Sequence, residues 1–158
     1  MKERHDELRP VTSEGVAARL RRILGRPAPR ARVTAPSTVR MGETLEVEWR
    51  VDHAPGATLV IVSLIGAEVA HRRLSARTGI SVETERHEFV TLALDRRMLA
   101  AGATASAGRG ATTVPRGTVP SLAAKLNQIV WSVVVEVCSG PSTLLRREFP
   151  LTVLPGAP

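Results

Sequence analysis

Between Thr44 and Asp52 apolar and charged side chains alternate without a break: Leu45, Val47, Trp49 and Val51 fall on one face, Glu46, Glu48, Arg50 and Asp52 on the other. Successive strand residues point to opposite sides of a sheet, so this period of two predicts a half-buried antiparallel strand. Ile129–Val137 keeps the same phase through Ile129, Trp131, Val133, Val135 and Val137, and Thr143–Leu154 keeps it through Phe149, Leu151 and Val153. Pro150 lacks an N–H and therefore places that last strand at an edge or a bulge. Ala57–Ile65, reading ATLVIVSLI, is an apolar run rich in branched residues; its length suits a central strand ended by Gly66.

Weaker patterns fill the intervals. Ala31–Ala35 predicts a first strand closed by Pro36, Ala67–Leu74 a continuation after a bend, and Thr78–Thr84 and Glu85–Leu94 two further strands. Asp95–Leu99 is too short to assign. Turns are marked by Gly42, by Pro55 with Gly56, and by Gly140 with Pro141. Ala100–Val114, AAGATASAGRGATTV, has no apolar period, and a loop of that length in a compact domain is functional or disordered. It leads into Pro115–Val137, a proline-punctuated crossing followed by a strand. Short strands at close spacing predict an all-β fold, an antiparallel two-sheet β-sandwich, with Trp49 and Trp131 meeting in one core.

The N-terminus follows another rule. Residues 1–12 are polar and are expected to be mobile. Beyond Ser13, a candidate cap, Val16, Leu20, Ile23 and Leu24 recur at helical spacing, and Gly25 and Pro27 stop the pattern, which predicts a short amphipathic helix over about 13–25. Its other faces carry Arg19, Arg21, Arg22 and Arg26. Arg26–Arg32, RPAPRAR, is a stiff proline-rich linker. The chain therefore divides into a basic tail over 1–29 and a sandwich over 30–155. The helix either packs its stripe on the sandwich or frays, or it docks: Val16, Leu20, Ile23 and Leu24 are the candidate partner-binding residues, and Arg19, Arg21, Arg22 and Arg26 the candidate anion-binding ones.

Charge sharpens that division. The formal net charge is +7, yet residues 1–32 hold nine Lys or Arg against four acids, leaving thirteen against eleven elsewhere. Basicity thus belongs to the tail, and the sandwich is close to balanced. Twenty of the 22 basic residues are Arg; outside the tail they are scattered, as a GC-rich genome would give. Cys138 is the one cysteine, so no internal disulfide and no multi-cysteine metal site can form, in keeping with a reducing compartment. His5, His53, His71 and His87 stand in no metal-binding spacing. Neither a G-x-S-x-G elbow nor a phosphate-binding glycine loop is present. Adjacent Asp52 and His53 face opposite ways on a strand and make no acid–base pair, and Glu83, Glu85 and Glu88, mixed with Arg86 and His87, form a solvated strand end. No metal, no cofactor and no catalytic residue is expected. No run approaches the roughly 18 apolar residues of a membrane span, and Met1–Arg9 lacks a secretory apolar core, so a cytoplasmic location is expected.

Three pieces carry a family resemblance. The Gly42 turn followed by ETLEVEWR, the run LVIVSLIGAE over Leu59–Glu68, and the series Val114-Pro115, Val119-Pro120-Ser121, Ile129-Val130-Trp131 resemble the arrestin-like fold, the β-sandwich of arrestin N-domains, of the arrestin-shaped subunit of retromer and of some bacterial proteins. The resemblance spans roughly Arg30–Leu154 and implies a binding or scaffold domain. The chain departs from the family in having no Tyr and no recognisable phosphate-sensing lysine pair or charge cluster, so receptor binding does not carry over. An immunoglobulin-like or fibronectin-like sandwich is the structural alternative. The expectation is a non-enzymatic adaptor mediating protein–protein contacts in a bacterial multiprotein system, through the basic helix, the glycine–alanine loop or an exposed strand edge. The alternative is an anion-binding accessory protein whose Arg-rich helix holds nucleic acid or an acidic membrane surface.

Overall fold

The computed structural model describes residues 6–10, 29–52, 56–76 and 79–157. In chain order the strands are β1 (Asp6–Glu7), β2 (Arg30–Ala35), β3 (Thr38–Arg40), β4 (Thr44–Asp52), β5 (Leu59–Ala76), β6 (Gly79–Met98), β7 (Ala105–Thr113), β8 (Leu122–Ala123), β9 (Asn127–Ser139) and β10 (Ser142–Leu154). The described residues contain no helix. The helix expected over 13–25 lies outside them, together with Val16, Leu20, Ile23, Leu24, Arg19, Arg21, Arg22 and Arg26.

Two sheets form. The first has the order β1-β2-β4-β7; the second has the order β3-β10-β9-β5-β6, with β8 paired to β9. All pairings are antiparallel except that of β10 with β3. One apolar core lies between the sheets. Val33, Leu45, Val47, Trp49 and Val51 come from the first; Val60, Val62, Leu64, Trp131, Val133, Val135, Phe149, Leu151 and Val153 come from the second. The alternation in β4 is kept in full: its inward residues are buried, and Glu46, Glu48 and Arg50 are exposed. Both indoles are buried and both N–H groups are satisfied, Trp131 Nε1 donating to the Val119 carbonyl at 3.0 Å and Trp49 to Asp95. That first bond fixes the proline-rich crossing onto the core, and Ser121 adds a second tie by accepting from Val153 N at 2.8 Å through its hydroxyl. Pro150 sits opposite Ser132 of β9, two residues short of the point where β3 joins β10 at Thr152. Its missing N–H therefore leaves no ladder position empty.

Four expectations are corrected. Residues 6–8 are not a loose polar lead: Asp6 and Glu7 pair with Ala35 and Thr34, Leu8 N donates to the Val33 carbonyl at 2.9 Å, and the Leu8 side chain is buried. β5 does not end at Gly66 but runs through it, because Gly66 faces Trp131 of β9 on one side and Val90 of β6 on the other. A Cβ there would lie 2.9 Å from the Phe89 ring and the Val90 methyl. The two strands expected over 78–94 are one strand, β6, which continues to Met98 and holds two extra residues, Leu94 and Phe89, where its register with β5 shifts. Each bulge turns an apolar side chain inward: Leu94 joins the core, and Phe89 meets Trp131 edge-on at 5.7 Å. Finally, the expected glycine–alanine loop is largely strand β7, bound to β4 in unbroken register from Thr44↔Thr113 to Asp52↔Ala105.

Candidate functional site

The flank where β7 of the first sheet meets β6 of the second holds the most specific arrangement of side chains. Trp49 of β4 points inward beneath β7 and donates its indole N–H to Asp95 Oδ2 at 2.9 Å. Asp95 follows the Leu94 bulge, which rotates β6 so that this carboxylate faces the core side of the seam instead of solvent. Arg97, two residues on, lies 3.7 Å from the same carboxylate oxygen. Its guanidinium carbon stands 5.4 Å from the Trp49 ring centroid, a cation–π distance, and its Nη1 donates to the carbonyl of Ala107 on β7. One aromatic ring, one acid and one arginine thus tie three strands and both sheets together.

The small residues of β7 make that approach possible. A Cβ on Gly108 would lie 2.6 Å from Asp95 Oδ2 and 2.7 Å from the Trp49 ring, and one on Gly110 would be driven into the Leu94 backbone carbonyl. Only glycine lets the two sheets close to this distance.

The direction of the β7 backbone follows from two ties. Val114 N donates to the Glu43 carbonyl at 3.0 Å, and Gly42 N to the Val114 carbonyl at 2.7 Å, so even-numbered residues of this segment turn their main-chain groups toward β4. Ala105, Ala107, Arg109, Ala111 and Thr113 therefore turn theirs away from it. Among the described residues no strand pairs with that side; the Arg97 guanidinium on Ala107 is the contact made there. The edge is straight and bulge-free, its outward side chains are short apart from Arg109, and Arg109 reaches Glu48 at 2.7 Å while staying largely exposed. Two open grooves of about 520 and 580 Å³ border β7 on the outer face of the sheet and share Thr34, Glu48 and Arg109.

A second polar cluster lies on the outer face of the other sheet. Arg146 of β10 reaches Glu136 at 2.6 Å, Glu88 at 3.1 Å and Glu148 at 3.5 Å, and Arg86 of β6 reaches Glu148 at 3.1 Å. β6 and β10 are separated by β5 and β9, so this face is concave enough for side chains to bridge it. Ile65, Ala67, Ser132 and Val134 are buried on that face. Burial works against the charge of Arg146, but the hydrogen bond to Glu136 and the charges of Glu136, Glu148 and Glu88 outweigh it and raise its pKa above the ordinary arginine value. A raised pKa on a cation favours the fold below the ordinary value and loses its effect only as pH climbs through the raised one. Arg146 therefore adds no pH dependence near neutrality. The cluster is a structural clip across the sheet.

Of the features singled out in the sequence, Trp49 and Trp131 do share one core, and residues 82–88 are exposed as expected, with Arg86 and Glu88 among them also joining the clip. Cys138 is half-buried with a free thiol. No group of three or more His, Cys, Asp or Glu able to hold a metal occurs among the described residues, and no helix among them is long and apolar enough to cross a membrane. Asp95 and Arg97 were missed, and the β7 region, singled out as a glycine–alanine loop, was not read as a strand edge. Asp95 lies within a stretch too short to assign, and the one available signal was the need of a buried Trp49 indole for an acceptor.

Two sheets around one core, with an open edge on one flank, define a β-sandwich protein. No family model and no curated protein matches the chain. Among solved structures it is similar to Spo0M, a sporulation control protein from Bacillus subtilis, with a TM-score of 0.53 and 12% identity over 84% of this chain and 51% of that one. The chain thus spans about half the length of Spo0M, and at that identity the likeness shows a shared fold.

Proposed function

We propose that the protein is a non-enzymatic, arrestin-like adaptor or scaffold that holds other proteins together in a bacterial, cytoplasmic regulatory system. The observation that carries this reading is the open edge of β7, a row of main-chain donors and acceptors set on a braced flank and matched to protein chains. The fold shared with a sporulation control protein supports a regulatory setting. The alternative, an anion-binding accessory protein, draws on the +5 balance of residues 1–32. Salt separates the two. Capture from the native host with the immobilised full chain is expected to retain the same protein partner at low and high salt. Retention of nucleic acid or acidic lipid, lost steeply as salt rises, would replace the adaptor reading with the anion-binding one. Unchanged protein capture by a Leu20→Asp, Ile23→Asp double variant would remove the N-terminal stripe as the docking element.

A further inference from the structure

We infer that Arg97 is a guard on the free edge of β7: its guanidinium, held on the Ala107 carbonyl, keeps that edge from pairing with the same edge of a second copy of the chain. The inference goes beyond the adaptor reading and does not depend on it.

Sheet edges invite pairing, and folded proteins normally blunt them with bulges, prolines, inward-pointing charges or very short strands. Two other long edges here follow that rule. β6 carries two bulges. β10 has a bulge at Leu144 and sets Pro150 on its outer side, the side on which Thr152 N donates to the Ser37 carbonyl. β7 has neither device: nine residues keep one unbroken register with β4, without proline or bulge, and the side chains beside Arg109 on its exposed face are Ala105, Ala107, Ala111 and Thr113. Its own charge gives little protection, because Arg109 is engaged by Glu48 at 2.7 Å.

Arg97 supplies what β7 lacks. Asp95 and Arg97 stand opposite Val62 and Val60 of β5, both fully buried, so the stretch after the Leu94 bulge points two charged residues toward the core side of the sandwich. Inward charges are costly unless paired, and each of these is. Asp95 accepts from the Trp49 indole at 2.9 Å; Arg97 lies 3.7 Å from the same carboxylate and 5.4 Å from the Trp49 ring centroid, with Nη1 on the Ala107 carbonyl. Those contacts hold the guanidinium beside the middle of the edge. A strand added there would run about 4.8 Å from β7 and would need the Ala107 carbonyl as an acceptor. The guanidinium already occupies both the acceptor and the path.

A second copy of the chain is the neighbour that this guard excludes. Two β7 strands laid antiparallel about a twofold axis at Ala107 put Arg109 opposite Ala105 of the other copy, so the two Arg109 side chains stay apart and each keeps its own Glu48. Short side chains on both strands let the backbones approach to ladder distance. The same axis brings the Arg97 guanidinium groups of both copies onto one adjoining pair of Ala107 carbonyls, where like charges meet. Arg97 therefore acts most strongly against the pairing that the rest of the edge favours.

The test is sedimentation velocity of the full chain over a range of concentrations. Arg97→Ala is expected to self-associate at least about tenfold more tightly than the unaltered chain. Adding Ala107→Pro, which deletes an outward-facing N–H without touching the β4 ladder, is expected to cancel that gain. Should Arg97→Ala fail to fold by circular dichroism, Arg97→Met replaces it: the thioether stem still covers the Trp49 ring but carries neither charge nor donor, and the same gain is expected. Self-association that ignores the loss of Arg97, or that rises equally with Ala107→Pro in place, overturns the guard. So does an unaltered chain that already dimerises and is returned to monomer by Ala107→Pro, since the edge then pairs with Arg97 present. Capture of a native partner by the unaltered chain decides the adaptor reading separately from all of these.

Discussion

Trp131→Ala is expected to destabilise the protein by about 3–5 kcal/mol, enough to remove a large part of the roughly 5–15 kcal/mol that holds a domain of this size together. Three losses coincide. The indole is 1% exposed at the centre of β9, so its removal opens a cavity that strands on both sides cannot close. Phe89 loses the ring it meets at 5.7 Å, and with it the reason for the bulge that brings it inward. The Val119 carbonyl loses its donor, which loosens the crossing between β7 and β9. Urea denaturation followed by circular dichroism measures the change. A loss below about 1 kcal/mol would mean that the core repacks around the gap, contrary to the density of contacts described.

Gly110→Val is expected to be as damaging, by about 3 kcal/mol or more, although it adds atoms and removes none. The new Cβ would run into the Leu94 carbonyl, a backbone group that cannot rotate aside. Either β7 lifts from β6, which pulls Ala107 away from Arg97 and exposes Trp49, or the Leu94 bulge unwinds and withdraws Asp95 from the indole. Gly117→Val is the control, since nothing lies within 4 Å of a Cβ at that position and little change is expected there. If the two variants show equal urea midpoints, the sheets do not close at Gly110 as described.

These two residues also show what the sequence could and could not disclose. Trp131 was legible because β9, like β4 and β10, has one face set firmly toward the core, and that asymmetry prints a period of two on the sequence. Gly110 was not. A strand of Ala, Gly, Ser and Thr has no apolar face to print, and β7 becomes a strand because β4 offers a partner and β6 demands glycine above Leu94. β6 failed for a different reason. The second expected strand ended at the Leu94 bulge, where the alternation shifts by one residue and leaves a remnant beyond it, and the division between Thr84 and Glu85 falls in the exposed run 82–88, which has no buried face to print a period. Gly66 misled in the same way: a glycine inside a strand marks close approach of a neighbour as readily as an end. Asp95, hidden in the remnant, was lost with it. The candidate docking residues of the N-terminal stripe, Val16, Leu20, Ile23 and Leu24, lie outside the described residues, while the edge that now bears the functional reading came from the one region with no pattern at all.

The pairing of β7 with β4 also sets an order of assembly. β5 with β6 and β9 with β10 are hairpins between neighbours in the chain, whereas β7 can join β4 only after the whole β5–β6 excursion has been laid down. Loop closure must come before such a contact gives any return, and alanine and glycine contribute little strand preference of their own. β7 therefore condenses late and opens early, and its amides are expected to exchange with deuterated solvent faster than those of β9. Slower exchange in β7 than in β9 would contradict this. A chain still folding thus exposes no finished β7 edge until the sandwich behind it is complete.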